Sequence, residues 1–483
     1  MIIVLSIGYF IILVATGLRI IYDTEDTGKA LAFLLVITFV PIIGILIYLL
    51  FGINHRKRKI FENKCINNKS FFKKLNPDSE NKAAKIIEDQ PIEFVHGKKM
   101  MELLINEIGS PVSDDNQVKI LINGESKFPE LIIDLENARD HIHIEYYIFE
   151  DDNIGRTIEE ILIKKALEGV EVRVIYDDFG SRSIRKKMIP RLKEAGVTTN
   201  PFYEIKYMLF ANRINYRNHR KITVIDGHTA YVGGINIGDE YINRKSNKKK
   251  KFWRDSHLKL SGSSVKYLQY LFITDWNFCS DEDDIEPNKK YFPPIENRFN
   301  GNKIVQISAS GPDSDAPTIH HSMLQAVNGA KRELFITTPY FIPGESLMDA
   351  LCIAAQSNVN VKLLIPKTSD SKIVDNASAF YFNRLLRSGV EIYQYTKGFI
   401  HSKSMIIDNT ISILGTANMD IRSFDLNFEV NAILYDGELT KQMKDQFYED
   451  LKNADQINKN EWEKRSIFTQ LLESIARLFS PIL

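Results

Sequence analysis

Apolar residues are arranged along this chain in two regimes. The first is continuous: residues 2–18, from Ile2-Ile3-Val4-Leu5 to Ala15-Thr16-Gly17-Leu18, are uncharged and nearly all apolar, and a second run extends from Ala30 to Ile53. Runs of this length predict membrane-spanning helices. Pro41 and Gly44 within the second run are better tolerated in a lipid-embedded helix than in a soluble one. Arg19 can snorkel to the interface. Between the runs stand Asp23, Glu25 and Asp26 with only Lys29 opposing them, and His55-Arg56-Lys57-Arg58-Lys59 follows the second. A basic flank belongs on the cytoplasmic side, so residues 1–55 are expected to form a two-helix hairpin with both ends inside. A cleaved signal peptide fits less well, because the first run has neither a basic leader nor a small-residue cleavage site.

The second regime is periodic. Residues 56–109 are expected to be a cytoplasmic connector, its first part rich in Lys, Asn and Glu. From Val118 strand-like and helix-like patterns alternate: Val118–Ile122, a helix near Glu130 to Asp140, Ile142–Ile148, a helix around Gly155 to Leu167, and Val172–Tyr176. This alternation predicts an α/β lobe. The order returns after Lys303, with Ile304–Ile307, a helix ending near Ala330, Leu334–Phe341, a helix and Val361–Ile365. Shorter phrases recur too, Arg191-Leu192-Lys193-Glu194-Ala195-Gly196-Val197 matching Arg384-Leu385-Leu386-Arg387-Ser388-Gly389-Val390. Two related lobes are expected, 110–295 and 296–483, packed face to face. The second ends in an amphipathic helix with Phe468, Leu471, Leu472, Ile475, Leu478 and Phe479 on one stripe, suited to packing on a lobe or to lying in a membrane interface.

Composition narrows the partners. With 62 basic and 62 acidic residues the formal charge is zero, so no global field draws the protein to nucleic acid. Cys65, Cys279 and Cys352 are too far apart for a metal knuckle or a disulfide framework, which points to a reducing compartment. Lys248–Lys251, with Arg244 and Lys245 nearby, form a local basic run suited either to a solvated loop or to anionic headgroups.

The candidate chemistry is written twice. His219-Arg220-Lys221 is followed by Asp226 and then Gly233-Gly234-Ile235-Asn236; His401-Ser402-Lys403 is followed by Asp408 and then Gly415-Thr416-Ala417-Asn418. The motif segments are 213–240 and 395–422. Histidine and lysine two residues apart at the start of a strand project from one face. Asp226, at odd spacing and beside Gly227, is suited mainly to holding the turn, and Asp408-Asn409 repeats that arrangement. A neutral imidazole can attack phosphorus and a protonated one can release an alkoxide as an alcohol. Lys221 and Lys403 supply positive charge, and Asn236 and Asn418 amide hydrogens, for the nonbridging oxygens of a phosphodiester. Neither a metal nor another cofactor is required by that set. His141 and His143, alternating with Glu145, are expected to form a polar cleft wall.

The doubled H-x-K-x4-D with its glycine turn and asparagine resembles the phospholipase D superfamily over about residues 110–450. The resemblance implies two lobes, each a mixed sheet flanked by helices, behind a transmembrane helical hairpin. It also implies a phosphohistidine intermediate, with His219, Lys221, Asp226, His401, Lys403 and Asp408 as the catalytic set. Each histidine would be oriented by a carboxylate about thirty residues beyond the other motif, here Asp255 and Glu429. Thr416 keeps the hydroxyl that many members carry as Gly-Ser, and Gly234 does not. Within the superfamily, the N-terminal runs, Ile144-Glu145-Tyr146-Tyr147, Gly238-Asp239-Glu240-Tyr241 and Ser480-Pro481-Ile482-Leu483 resemble bacterial cardiolipin synthases. That implies a multi-pass cell-membrane enzyme with cytoplasmic lobes, acting on phosphatidylglycerol and meeting anionic lipid, with His219 attacking and His401 serving as acid and then base. Hydrolysis is the nearest rival, because one adduct can react with water or with a lipid hydroxyl. A nuclease fits the apolar runs and zero charge less well. A noncatalytic scaffold is disfavoured by the intact motifs.

Overall fold

The computed structural model describes residues 2–24, 27–51, 79–203, 216–243, 251–280, 283–286, 290–294 and 301–480. The basic run after the second apolar segment, Cys65, and Arg244 to Lys250 lie outside the described residues. The chain divides into two compact units, Met1–Asn67 with Ile205–Tyr216, and Asn68–Glu204 with Arg217–Leu483.

In the first unit the helices are Ile2–Asp23, Thr27–Phe39 and Pro41–Phe51. The second apolar run is therefore two helical segments rather than one. Pro41 has no N–H to donate, yet Val40 N donates to Val36 O at 2.9 Å and Gly44 N to Val40 O at 2.7 Å, so the hydrogen-bonded rail continues around the proline. Ile20, Ile37 and Tyr48 are buried among these helices, and the edge of Tyr48 meets Phe33. Most other large apolar side chains here face outward, Phe10 at 64% exposure and Phe39 at 78% among them. Among the described residues no helix is long and apolar enough to cross a membrane.

The second unit is built on one sixteen-stranded mixed sheet. Its first half runs Ser113–Ile122, Ser256–Ser261, Thr229–Gly233, Lys221–Ile225, His141–Tyr146, Glu171–Asp177, Thr198–Phe202. The second half repeats that order with Lys303–Ser310, Asn427–Leu434, Ile411–Gly415, Ser404–Ile407, Glu333–Thr337, Asn360–Pro366, Glu391–Tyr395, and adds Ala454–Gln456; the sixteenth strand, Arg217–Asn218, pairs with Asn427–Leu434 off this path. The halves meet where Ser113–Ile122 pairs antiparallel with Lys303–Ser310, Ser113 opposite Val305. The lobes are thus joined edge to edge through backbone hydrogen bonds, and Thr229–Gly233 and Ser256–Ser261 also pack against Ile411–Gly415 and Asn427–Leu434 of the other lobe. Each would otherwise leave an unpaired strand edge at this seam, and pairing the two removes both.

Lys221–Ile225, Thr229–Gly233, Ile411–Gly415 and Asn427–Leu434 are buried at every position, including the polar residues Lys221, Thr223, Asn427, Glu429 and Asn431. The flanking helices begin at side-chain caps: Asp152 accepts from Gly155 N, Ser371 from Val374 N and Asp436 from Leu439 N. Residues 79–108, expected as the later part of a connector, form helices Ser79–Asp89 and Val95–Ile108. Their Ala83, Ile86, Met100, Met101 and Leu104 are buried in the core of the second lobe with Ile319 and Met323. The frequent Lys and Glu on their outer faces masked that stripe.

His141 and His143 do not form a cleft wall. The helix Ser264–Cys279 covers them, Gln269 bonds both rings, and His143 stacks on Phe272 with centroids 4.3 Å apart. The C-terminal helix Ile467–Arg477 packs on Lys372–Ser388 with an inverted polarity. Glu473 and Ala476 face inward, Glu473 pairs with Arg465, and Arg477 lies over the Phe380 ring. The stripe of Phe468, Leu471, Leu472 and Ile475 is exposed.

Candidate active site

Two short parallel strand pairs bring the repeated motifs together. Arg217–Asn218 pairs with Asn427–Phe428, and His219 N donates to Phe428 O at 3.0 Å. Gly398–Ile400 pairs with Phe252–Arg254, and His401 N donates to Arg254 O at 2.7 Å. In both places the main chain of the histidine is tied to the residue immediately before a carboxylate of the other lobe, Glu429 or Asp255. The side chains then meet across the boundary. His219 Nδ1 lies 2.9 and 3.0 Å from the two oxygens of Glu429, and His401 Nδ1 lies 2.7 Å from Asp255 Oδ2. A carboxylate on Nδ1 fixes the tautomer with its hydrogen there and leaves the lone pair on Nε2.

Each lysine supports its own histidine. Lys221 Nζ donates to His219 O at 2.7 Å, Lys403 Nζ donates to His401 O, and further hydrogens of each ammonium remain for a ligand. Burial sets the charge states. It depresses both imidazoles, His219 to about 4 and His401 to about 3, and the ammonium groups of both lysines reinforce the effect against the pull of Glu429 and Asp255. Both imidazoles are therefore neutral near pH 7. Burial also brings Lys221 down to about 7 and Lys403 to about 8. Glu429 is held at about 2 despite burial, by His219 and Lys221. Lys403 acts on His219, and Lys221 on His401, so the motifs share one electrostatic site. An entering phosphodiester monoanion adds negative charge and favours protonation of one imidazole.

Aromatic rings wall the site. The Tyr147 ring meets His219 at 5.1 Å, and Trp253 and Phe399 meet His401 at 5.4 and 5.5 Å. The two histidine side chains are only 12% and 9% exposed.

The remaining motif residues divide by position. Asp226 accepts from the backbone N–H groups of Arg139, Asp140 and His141, and Asp408 from those of Lys331, Arg332 and Glu333. Each stands at the far end of its motif strand, seven residues beyond the histidine. Both are in the left-handed region, at φ 52° and 49°, and each ties its turn to the start of the neighbouring strand. Asn236 Nδ2 donates to the Tyr241 hydroxyl and Asn236 Oδ1 accepts from Ile148 N, whereas buried Asn418 Oδ1 has no hydrogen-bond partner.

The two glycine turns differ for a steric reason. A Cβ on Gly234 would lie 2.1 Å from Asp255 Oδ1, so the carboxylate occupies the place of a side chain. Thr416 has room for one, and its hydroxyl donates to Glu429 Oε2 while accepting from Val430 N. Sequence reasoning missed Tyr147, Trp253 and Phe399, together with two buried arginines described below. Only the positions of Trp253 and Phe399, two residues before Asp255 and His401, offered a signal. Among the described residues no group of three or more His, Cys, Asp or Glu is arranged to hold a metal ion.

Comparison with known proteins assigns both halves of the chain to one family. Residues 131–248 and 323–451 match the family model described as cardiolipin synthase, PLD-like domain, and residues 9–52 match the one described as phospholipase D-nuclease N-terminal. The chain is 41% identical over 461 residues to a cardiolipin synthase of Geobacillus sp. (strain WCH70), covering 95% of this chain and 90% of that one. It is 39% identical over 479 residues to the major cardiolipin synthase ClsA of Bacillus subtilis (strain 168), covering 98% of each. Among solved structures, a phosphatidylserine synthase of Haemophilus influenzae Rd KW20 has a similar fold, with TM-score 0.60 and 14% identity over 80% of this chain and 100% of that one.

Proposed function

Since this chain belongs to the cardiolipin synthase family of phospholipase D-like proteins, we propose that it transfers a phosphatidyl group between two phosphatidylglycerol molecules, giving cardiolipin and glycerol. His219 Nε2 attacks phosphorus, the N–P bond forms, and the P–O bond to glycerol breaks as His401 donates a proton to the departing oxygen. A hydroxyl of the second phosphatidylglycerol then gives its proton to His401 and attacks the phosphohistidine, releasing His219. Lys221 and Lys403 neutralise the nonbridging oxygens, assisted by Asn236 and Asn418. Glu429 and Asp255 orient the imidazoles and stabilise each when it is charged.

The carrying observation is the pair of imidazole–carboxylate contacts that cross the lobe boundary in opposite directions. The aromatic surround and low exposure of the histidines favour a lipid hydroxyl over water as acceptor. Purified protein given phosphatidylglycerol alone is expected to release glycerol and cardiolipin in equal amounts. Phosphatidic acid as the sole lipid product would defeat transfer in favour of hydrolysis.

The membrane reading belongs with this one. The outward apolar side chains of the first unit, and the family match over residues 9–52, support a two-pass hairpin made of Ile2–Asp23 and the proline-bent pair Thr27–Phe39 and Pro41–Phe51. The lobes are then cytoplasmic and face anionic lipid. In intact cells an impermeant thiol reagent should label Thr24→Cys and leave the native cysteines unlabelled. Labelling only after the cells are opened would reverse the orientation.

A further inference from the structure

Behind the two imidazole–carboxylate contacts lie two buried guanidinium groups that the mechanism above does not use. Arg220, the residue after His219, is 3% exposed; its Nε donates to the backbone carbonyl of Glu429 at 3.3 Å, and its Nη1 pairs with the fully buried Asp275. Arg254, the residue before Asp255, is 4% exposed. Its Nη1 donates to the backbone carbonyl of Asp255 at 2.6 Å, and it forms a two-pronged pair with Asp450, both contacts 2.8 Å.

The repetition is in the partners rather than in the motif. Asp275 lies on the helix Ser264–Cys279, twenty residues beyond Asp255, and Asp450 on Gly437–Leu451, twenty-one beyond Glu429. The two aspartates therefore hold equivalent places in the two lobes. The position after His401 is Ser402, whose hydroxyl donates to the Ser256 hydroxyl at 3.1 Å. The arginines thus come from non-equivalent places and reach an equivalent result: each fixes the carbonyl of a carboxylate residue, and each set of three residues spans both lobes.

We propose that Arg220 and Arg254 are positioning residues, each an aspartate-anchored clamp on the main chain of the carboxylate that orients one histidine, Arg220 serving Glu429 and His219, Arg254 serving Asp255 and His401. The rigid planar fork of a guanidinium fixes a carbonyl and a carboxylate relative to one another, whereas the rotatable donors of an ammonium on a flexible stem do not. Displacement of the orienting group by a fraction of an ångström misdirects Nε2.

The inference rests on the proposed division of labour between the histidines, and that division supplies its test. Phosphatidylglycerol requires an acid to release glycerol, whereas phosphatidyl-p-nitrophenol releases a stable phenolate unaided. Single-turnover rates on both substrates would be measured for Arg220→Lys and Arg254→Lys. The double variants Arg220→Met with Asp275→Leu, and Arg254→Met with Asp450→Leu, would be measured alongside them, since they remove each guanidinium together with its anchoring carboxylate. The Arg254 variants are expected to lose about tenfold to a hundredfold on phosphatidylglycerol and to keep the p-nitrophenol burst within about threefold. The Arg220 variants are expected to lose about tenfold to a hundredfold on both substrates. KM should move little in either. Folded variants that keep both rates, or Arg254 variants that lose both alike, overturn the clamps. Absence of a burst in the unmodified protein strikes the phosphohistidine reading instead.

Discussion

Replacing His219 with alanine is expected to abolish phosphatidyl transfer, lowering kcat by about 100,000-fold or more, because the attacking nitrogen is removed while His401 remains committed to proton transfer. His401→Ala should cost nearly as much on phosphatidylglycerol, since glycerol is a poor leaving group without a proton. The two variants separate on an activated phosphodiester. With phosphatidyl-p-nitrophenol, His401→Ala should still yield one equivalent of p-nitrophenol and a trapped phosphohistidine, and His219→Ala neither. The reverse pattern would exchange the two roles. A noncatalytic protein would keep its cellular effect in both variants.

Glu429→Gln is expected to lower kcat by about a thousandfold to ten-thousandfold with little change in KM. The substitution preserves size. It replaces an acceptor held at about 2, hence ionised throughout the working range, by an amide that can present N–H to His219 Nδ1. The hydrogen then moves to Nε2 and the attacking lone pair is lost. Thr416 and Asn427, which donate to the same carboxylate, would compete with His219 for the single oxygen that remains. The measurement is the phosphohistidine burst. A burst within tenfold of the parent would show that Glu429 does not govern the tautomer. Asp255→Asn should act on the other step, slowing glycerol release and sparing the burst from the activated substrate.

Much of this site was legible because the chain repeats itself. The doubled His-x-Lys spacing and the glycine turns follow from aligning one half with the other, and the places of Asp255 and Glu429 from the resemblance to the phospholipase D superfamily. What was not legible depends on separations that no local pattern records. His219 and its carboxylate partner are 210 residues apart, and Arg254 and Asp450 are 196 apart. The edge-to-edge seam joins Ser113–Ile122 to Lys303–Ser310 mainly through main-chain groups, with Asn116 Nδ2 donating to Lys303 O, and no local pattern marks which strand edge it meets. The stripe on the C-terminal helix was evident from its spacing, but periodicity shows only that two faces differ. It does not show that Glu473, satisfied by Arg465, makes the charged face the inner one. Alternating histidines at 141 and 143 misled for the same reason, since a buried imidazole bonded to Gln269 has the same sequence pattern as a wet one.

The exchange of short strands between the lobes has a consequence for how such a molecule can change. Either half alone holds a histidine without the acid that orients it, so a single-lobed ancestor could work only as a symmetric pair of identical subunits. In such a dimer any change at one end of the rotation axis is imposed at the other. Covalent fusion lifts that constraint, and this chain has used the freedom: glycine stands against threonine, aspartate against glutamate and arginine against serine at matching places around one phosphorus. Division of labour between attack and proton transfer can thus be encoded in residues rather than left to whichever subunit the substrate meets first.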